Sequence, residues 1–137
     1  MEILLRNKAN INIQDTNDGE TALMLAANNG NSDILEVLLR NKADINIRSK
    51  TGYTALMRAA ANDHSDIVEI LLRNNADINI RNGDGWTLLL IAALWGHSDI
   101  VEILLRNKVD INIRDKDGRT ALHCAAYIGK EKPPRCF

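Results

Sequence analysis

Cysteine is scarce in this chain of 137 residues, which contains only Cys124 and Cys136. Two cysteines are too few for the disulfide framework of a small secreted protein, and their spacing fits neither a Cys-x-x-Cys pair nor a zinc-ligand pattern. Reduced thiols are the default for such a chain, and they fit the reducing conditions of the cytoplasm or nucleus. We therefore expect a cytoplasmic or nuclear protein that is not secreted.

Long apolar runs and an excess of charge of one sign are also absent. Glu2, Arg6 and Lys8 interrupt the apolar N-terminus before it reaches the length of a signal peptide or a membrane span. Lysine and arginine number 17 against 18 acidic residues, so the formal net charge is −1. Without a basic field, the sequence disfavours nucleic acid and membranes as partners and favours a single globular domain.

The chain does contain an internal repeat with a period of 33 residues. A glycine followed two positions later by threonine recurs with that period at Gly19, Gly52, Gly85 and Gly118. The sequence HSDIVEILLRN occurs verbatim at 64–74 and again at 97–107. A fixed period of this length is typical of a solenoid, in which each unit buries its apolar face only against its neighbours.

Each unit predicts two helices followed by a loop. The first helix is short and rich in alanine, and it ends near Asp63, where sister units have Gly30, Gly96 and Gly129. Glycine is the residue that most readily takes the left-handed conformation that closes a helix. The second helix begins at Ser65 with a capping residue and continues with a broad apolar face. The sequence ADINIRNGDG then predicts a hairpin-like connection to the next unit, because it is rich in turn formers.

The segments DGWTLLLIAALWGHSDIVEILLRNKVDINI and DKDGRTALHCAA resemble the ankyrin repeat pattern, and the resemblance covers residues 2–129. It implies an all-α fold, an ankyrin-repeat solenoid of stacked helix-turn-helix units joined by β-hairpin-like loops, with half-repeats at both ends. It also implies a module that binds other proteins. We divide the domain, 1–137, into a partial repeat 1–15, repeats 16–48, 49–81 and 82–114, a partial repeat 115–130 and a tail 131–137.

The chain departs from the family pattern at two kinds of position. The proline of the family's T-P-L-H motif is missing from every unit, and only His123 is able to make the Thr-to-His hydrogen bond that the motif implies. The glycine that the family has before Ala-Asp is replaced by Lys42, Asn75 and Lys108. An ordinary side chain is strained at a positive φ angle, and asparagine is the least strained of the three.

The sequence predicts no catalytic, metal or cofactor site. The triplet His-Ser-Asp occurs at 64–66 and 97–99, but adjacent residues at a helix start do not converge as a hydrolytic triad must. His64 and His97 fit ordinary hydrogen-bonding histidines better than a metal pair. The glycine-rich loops lack the context of phosphate-binding loops. We therefore expect a protein that is not an enzyme and has no cofactor.

Positions that differ between units indicate where a partner binds, because the units share one framework. Every tyrosine and tryptophan falls on such a position, either after the hairpin glycine or at the end of the first helix. Ankyrin family members typically bind partners through the hairpin tips and the inner face of the first helices. The resemblance therefore implies a concave aromatic patch, to which Ile128 is a further candidate. The predicted partner-binding residues are Tyr53, Trp86, Leu94, Trp95, Arg119, Tyr127, Arg81 and Arg114.

Several alternatives stay open from the sequence. Arg48, Arg81 and Arg114 follow one another at the repeat spacing, and they are either solvated charges or a surface that binds an anionic partner. The half-repeats at the two ends indicate either an excerpt of a longer array or self-association. A structural scaffold and an engineered ankyrin binder are further alternatives to a natural binding module. The partner protein itself is not specified.

Overall fold

A computed structural model describes residues 1–127. Ile128, Cys136, the end of the predicted partial repeat 115–130 and the tail 131–137 lie outside the described residues. The helices are α1 Glu2–Arg6, α2 Ala22–Asn28, α3 Ser32–Arg40, α4 Ala55–Ala61, α5 Ser65–Arg73, α6 Leu88–Leu94, α7 Ser98–Arg106 and α8 Ala121–Ala126. Because residues 1–127 contain no strand, the expected all-α fold is confirmed.

The helices form two layers. The first helices of the units, α2, α4, α6 and α8, pack against one another in chain order, and the second helices α3, α5 and α7 pack against the first helix of their own unit. One continuous hydrophobic core runs through the stack. The small side chains of the first helices, such as Ala27, Ala59 and Ala60, are completely buried, which lets neighbouring units approach closely.

Threonine is the N-terminal capping residue of each first helix, α2, α4, α6 and α8. Thr21 and Thr54 accept hydrogen bonds from the backbone N–H groups of Met24 and Met57, at 3.2 and 3.3 Å. In the last unit, the backbone N–H of Thr120 donates to Nδ1 of His123 at 3.1 Å, and the threonine hydroxyl lies 3.0 Å from the same nitrogen. The predicted Thr-to-His hydrogen bond is therefore confirmed. These contacts satisfy N–H groups that have no partner within the helix.

The second helices are followed by residues with positive φ angles, as the missing glycines predict. The φ angles are 65° at Lys42, 66° at Asn75 and 58° at Lys108. A left-handed backbone brings Cβ close to the following carbonyl oxygen, at a cost of roughly 1–2 kcal/mol for an ordinary residue. The strain expected from the sequence is therefore present in the fold.

Replacing Lys42 or Lys108 with glycine is expected to raise the free energy of unfolding by about 0.5–1 kcal/mol at each site, because relief of the strained φ outweighs the entropy that glycine adds to the unfolded chain. Both lysine side chains are exposed, so little packing is lost. Asn75→Gly is the matched control and should gain less, because asparagine tolerates this conformation. Urea unfolding followed by circular dichroism measures all three. Equal gains at the lysines and at Asn75 would contradict the strain argument.

Candidate partner-binding surface

The residues that follow Gly19, Gly52, Gly85 and Gly118 occupy equivalent positions in successive units of the stack. From the first unit to the last they are Glu20, Tyr53, Trp86 and Arg119. Trp86 is only 2% exposed, and Tyr53 is buried as well. The guanidinium carbon of Arg58 lies 4.5 Å from the centre of the Tyr53 ring, and that of Arg119 lies 5.9 Å from the Trp86 ring. Each ring therefore has a cation–π contact to an arginine of its own or the next unit.

The prediction of an exposed aromatic patch is wrong for Tyr53, Trp86 and Leu94, because all three are buried in the core. Leu94 is enclosed since α6 packs against α4, α7 and α8, and every residue of this helix is buried. The rings of Tyr53 and Trp86 are covered by their arginine partners and belong to the same core. In the unbound chain these residues support the surface and do not form it.

Two aromatic residues are exposed at the ends of neighbouring first helices. Trp95 is the C-terminal capping residue of α6 and is 41% exposed. Tyr127 is the C-terminal capping residue of α8, at the repeat position of Leu94, and is 44% exposed. Beside Tyr127 lies a shallow cavity of about 330 Å³ that is also lined by Arg119, His123 and Ala126. We call Trp95, Tyr127, Arg119 and His123 the inner surface.

Arg119 is held in place by a network of polar contacts. Its Nε atom lies 3.1 Å from Oδ2 of the buried Asp115, and one terminal nitrogen lies 3.1 Å from Oδ2 of Asp117. Burial acts to lower the pKa of Arg119, but the charge and hydrogen bond of Asp115 outweigh it, and the pKa is raised. The side chain of Tyr127 also acts to raise the pKa of Arg119. The guanidinium is therefore fixed, charged and balanced by two carboxylates.

The carboxyl group of Asp115 is stabilised in its ionised form. Burial acts to raise its pKa, but hydrogen bonds from the backbone N–H groups of Arg119 and Asp117, at 2.9 and 2.8 Å, outweigh burial. The pKa of Asp115 is lowered as a result. The hairpin of the last unit thus keeps its shape and its charge pair at neutral pH.

Glu20, at the other end of this row of residues, has a raised pKa, unlike Asp115. Nε of Arg58 lies 3.0 Å from Oε1 of the buried Glu20. Burial raises the pKa of Glu20, and the charge and hydrogen bond of Arg58 oppose this effect only in part. Arg58 therefore contacts both Glu20 and the Tyr53 ring, which fixes its side chain on the first helix of the second unit.

The arginine row along the hairpin edge has a structural role that the sequence did not reveal. Arg48 donates from Nη2 to the backbone carbonyl of Arg81 at 2.8 Å. Arg81 donates from Nη1 to the carbonyls of Gly85 and Arg114, each at 2.7 Å. Gln14 begins the row by donating to the carbonyl of Arg48 at 2.8 Å. The guanidinium groups of Arg48 and Arg81 therefore join one unit to the next, a role that neither alternative from the sequence included.

Lysine and histidine side chains join the units in the opposite direction. Lys50 and Lys116 donate to the carbonyls of Thr16 and Gly83 in the preceding unit. Nε2 of His64 lies 3.1 Å from the carbonyl oxygen of Asn28, and Nε2 of His97 lies 3.3 Å from that of Ala61. The prediction that these are ordinary hydrogen-bonding histidines is confirmed.

Residues 1–127 contain neither a cluster of metal-ligating side chains nor a membrane-spanning helix. Among residues 1–127, no group of three or more His, Cys, Asp or Glu side chains lies close enough to hold a metal ion. Over the same range, no helix has the length and apolar content needed to cross a membrane.

The spacing of the helix pairs, hairpins and capping threonines matches a known family. A family model described as ankyrin repeats (3 copies) matches residues 1–82 and 74–132. The chain belongs to the ankyrin repeat family. Ankyrin repeats are generally protein–protein interaction modules and are typically not enzymes. A comparison with curated proteins finds no match for this ankyrin array.

Proposed function

We propose that this ankyrin repeat array binds a partner protein, without catalysis, through the inner surface formed by Trp95, Tyr127, Arg119 and His123. The observation that supports this function is the exposure of two large aromatic rings at the ends of adjacent first helices, while Tyr53 and Trp86 are buried. Tryptophan, tyrosine and arginine are the residues most enriched among the energetically dominant contacts of protein interfaces.

The rigidity of this surface also supports binding. Arg119 is held by Asp115 and Asp117, so little side-chain entropy is lost when a partner covers it. His123 is tied to Thr120 in the same way. A preorganised surface converts more of its contact energy into affinity than a mobile one does.

The other residues predicted from the sequence take supporting roles in this proposal. Tyr53, Trp86 and Leu94 belong to the core that supports the helices of the inner surface. Arg81 joins two units through its hydrogen bond to the carbonyl of Arg114. Arg114 is exposed, and we propose that it contacts the partner at the edge of the interface. We keep the cytoplasm or nucleus as the proposed compartment, on the basis of the low cysteine content.

Trp95→Ala is expected to weaken binding of the partner by about 2 kcal/mol, which corresponds to roughly a 30-fold higher Kd. The partner is first captured on the immobilised chain from a lysate of the source organism and is identified by mass spectrometry. Its affinity for the purified variants is then measured by titration calorimetry. Tyr127→Ala is a second test of the same surface.

Asn29→Ala is the matched control, because Asn29 occupies the position of Trp95 in the first unit and is exposed. It should leave the Kd unchanged. Wild-type affinity for the partner in both the Trp95→Ala and the Tyr127→Ala variants would contradict binding through the inner surface.

A further inference from the structure

Helix α1 has an apolar face whose counterparts are buried in the other units. The sequence EILLRN of α1 and the residue after it, at 2–7, is identical to the sequences at 69–74 and 102–107 in α5 and α7. Leu4 is 63% exposed, whereas its counterparts Leu38, Leu71 and Leu104 are buried. Helix α1 thus corresponds to the second helix of a unit, and its apolar residues Ile3 and Leu4 are exposed in the described structure.

The other end of the stack has the complementary feature. Helix α8 is a first helix, and Leu122 on it is 81% exposed although its counterparts Leu23, Leu56 and Leu89 are buried. In those units a second helix follows and packs against the first. Beside α8 a groove of about 640 Å³ opens, lined mainly by apolar residues that include Val101, Leu105, Ile111 and Leu122.

We propose that α1 of one copy of this chain docks into the groove beside α7 and α8 of a second copy and completes a repeat there. The two copies are then related head to tail. The occupant follows from the sequence, because α1 repeats the residues of α5 and α7, and those helices pack against α4 and α6 as α1 would pack against α8.

Charge complementarity supports the same arrangement. Within the stack, a terminal nitrogen of Arg106 on α7 lies 3.9 Å from Oε1 of Glu69 on α5. Arg6 of α1 is the counterpart of Arg106, and Glu102, which lines the groove, is the counterpart of Glu69. Docking of α1 next to α7 therefore places Arg6 of one copy beside Glu102 of the other.

The hydrogen-bonded row at the hairpin edge also continues across the contact. Arg48 donates to the carbonyl of Arg81, and Arg81 donates to that of Arg114. Gln14 holds the same place in the partial unit that contains α1. In the head-to-tail pair, Arg114 of one copy therefore faces the carbonyl of Gln14 in the second copy.

A second copy fits the groove better than residues 128–137 of the same copy. That segment reads IGKEKPPRCF, and its two prolines and four charged residues lack the apolar periodicity of a second helix. A contact between two grooves would not bury Leu4, and a contact between two α1 helices would not bury Leu122.

Sedimentation velocity on the full chain over a rising concentration series tests the proposal. Because a head-to-tail contact does not close on itself, the wild type is expected to grow from monomer past dimer as the concentration increases. Leu4→Glu and Leu122→Glu should each raise the apparent Kd of self-association at least tenfold. Both residues are exposed in the monomer, so both variants should fold, which circular dichroism checks.

Mixing the two variants provides the decisive measurement. Leu4→Glu retains an intact groove and Leu122→Glu retains an intact α1, so an equimolar mixture should form a 1:1 dimer that neither variant forms alone. Arg73→Glu alters an exposed residue on α5, in the middle of the stack and away from both ends, and should associate like the wild type. A wild type that stays monomeric, a Leu4→Glu variant that still self-associates, or a mixture without dimer would each overturn the proposal.

Discussion

Trp86→Ala is expected to lower the free energy of unfolding by about 3–5 kcal/mol, the usual cost of removing a fully buried tryptophan side chain. The ring lies in the continuous core, and Arg119 of the next unit covers it. Because domains of this size are stable by only about 5–15 kcal/mol, the loss should also reduce the cooperativity of the stack. Chemical unfolding followed by far-ultraviolet circular dichroism measures the change.

Trp95→Ala is the matched control for this substitution. The same residue type is replaced in the same unit, but Trp95 is 41% exposed, so its truncation removes less buried surface and the expected loss of stability is smaller, below about 2 kcal/mol. The two tryptophans thus separate stability from binding: Trp86 supports the core, and Trp95 is proposed to contact the partner. Equal losses of stability for both substitutions would contradict the different burial of the two rings.

The fold was predictable from the sequence because the repeated residues make local interactions that begin and end each helix. Threonine at the start of each complete first helix is an N-capping residue, and the turn-forming residues after each second helix end it. Even the strained φ angles at Lys42 and Lys108 followed from the missing glycines. These interactions act within a few residues, so the sequence alone determines them.

The candidate site was less predictable because variation between units does not report exposure. The position shared by Tyr53, Trp86 and Arg119 differs in every unit, yet two of these side chains are buried. What covers Trp86 is a residue 33 positions later in the sequence, on the neighbouring unit. That contact depends on how the units are offset when they stack, which the repeat period does not specify.

The arginine row shows the same limit. The period places Arg48 and Arg81 next to each other, but it does not show that the side chain of one binds the backbone carbonyl of the other. The sequence-based alternatives for these arginines considered them only as surface charge. The hydrogen bonds of Arg48 and Arg81 between units give a structural reason for an arginine after three of the four INI sequences.

Leu71→Ala and Leu4→Ala should differ strongly in effect although both leucines lie in the same sequence, EILLRN. Leu71 is completely buried between neighbouring helices, so its truncation is expected to lower the free energy of unfolding by about 3–4 kcal/mol. Leu4 is exposed in the monomer, and its truncation should cost less than about 0.5 kcal/mol. Urea unfolding at low protein concentration, where the chain is monomeric, measures both.

Raising the protein concentration in the same experiment links stability to assembly. If α1 docks into a second copy, the wild type becomes more stable as the concentration increases, because association stabilises the folded state by mass action. Leu4→Ala should lose most of this gain, while Leu71→Ala should keep it, since α1 and the groove are intact. Identical losses for the two substitutions at low concentration would show that local sequence, and not stacking between units, determines the energy of each helix.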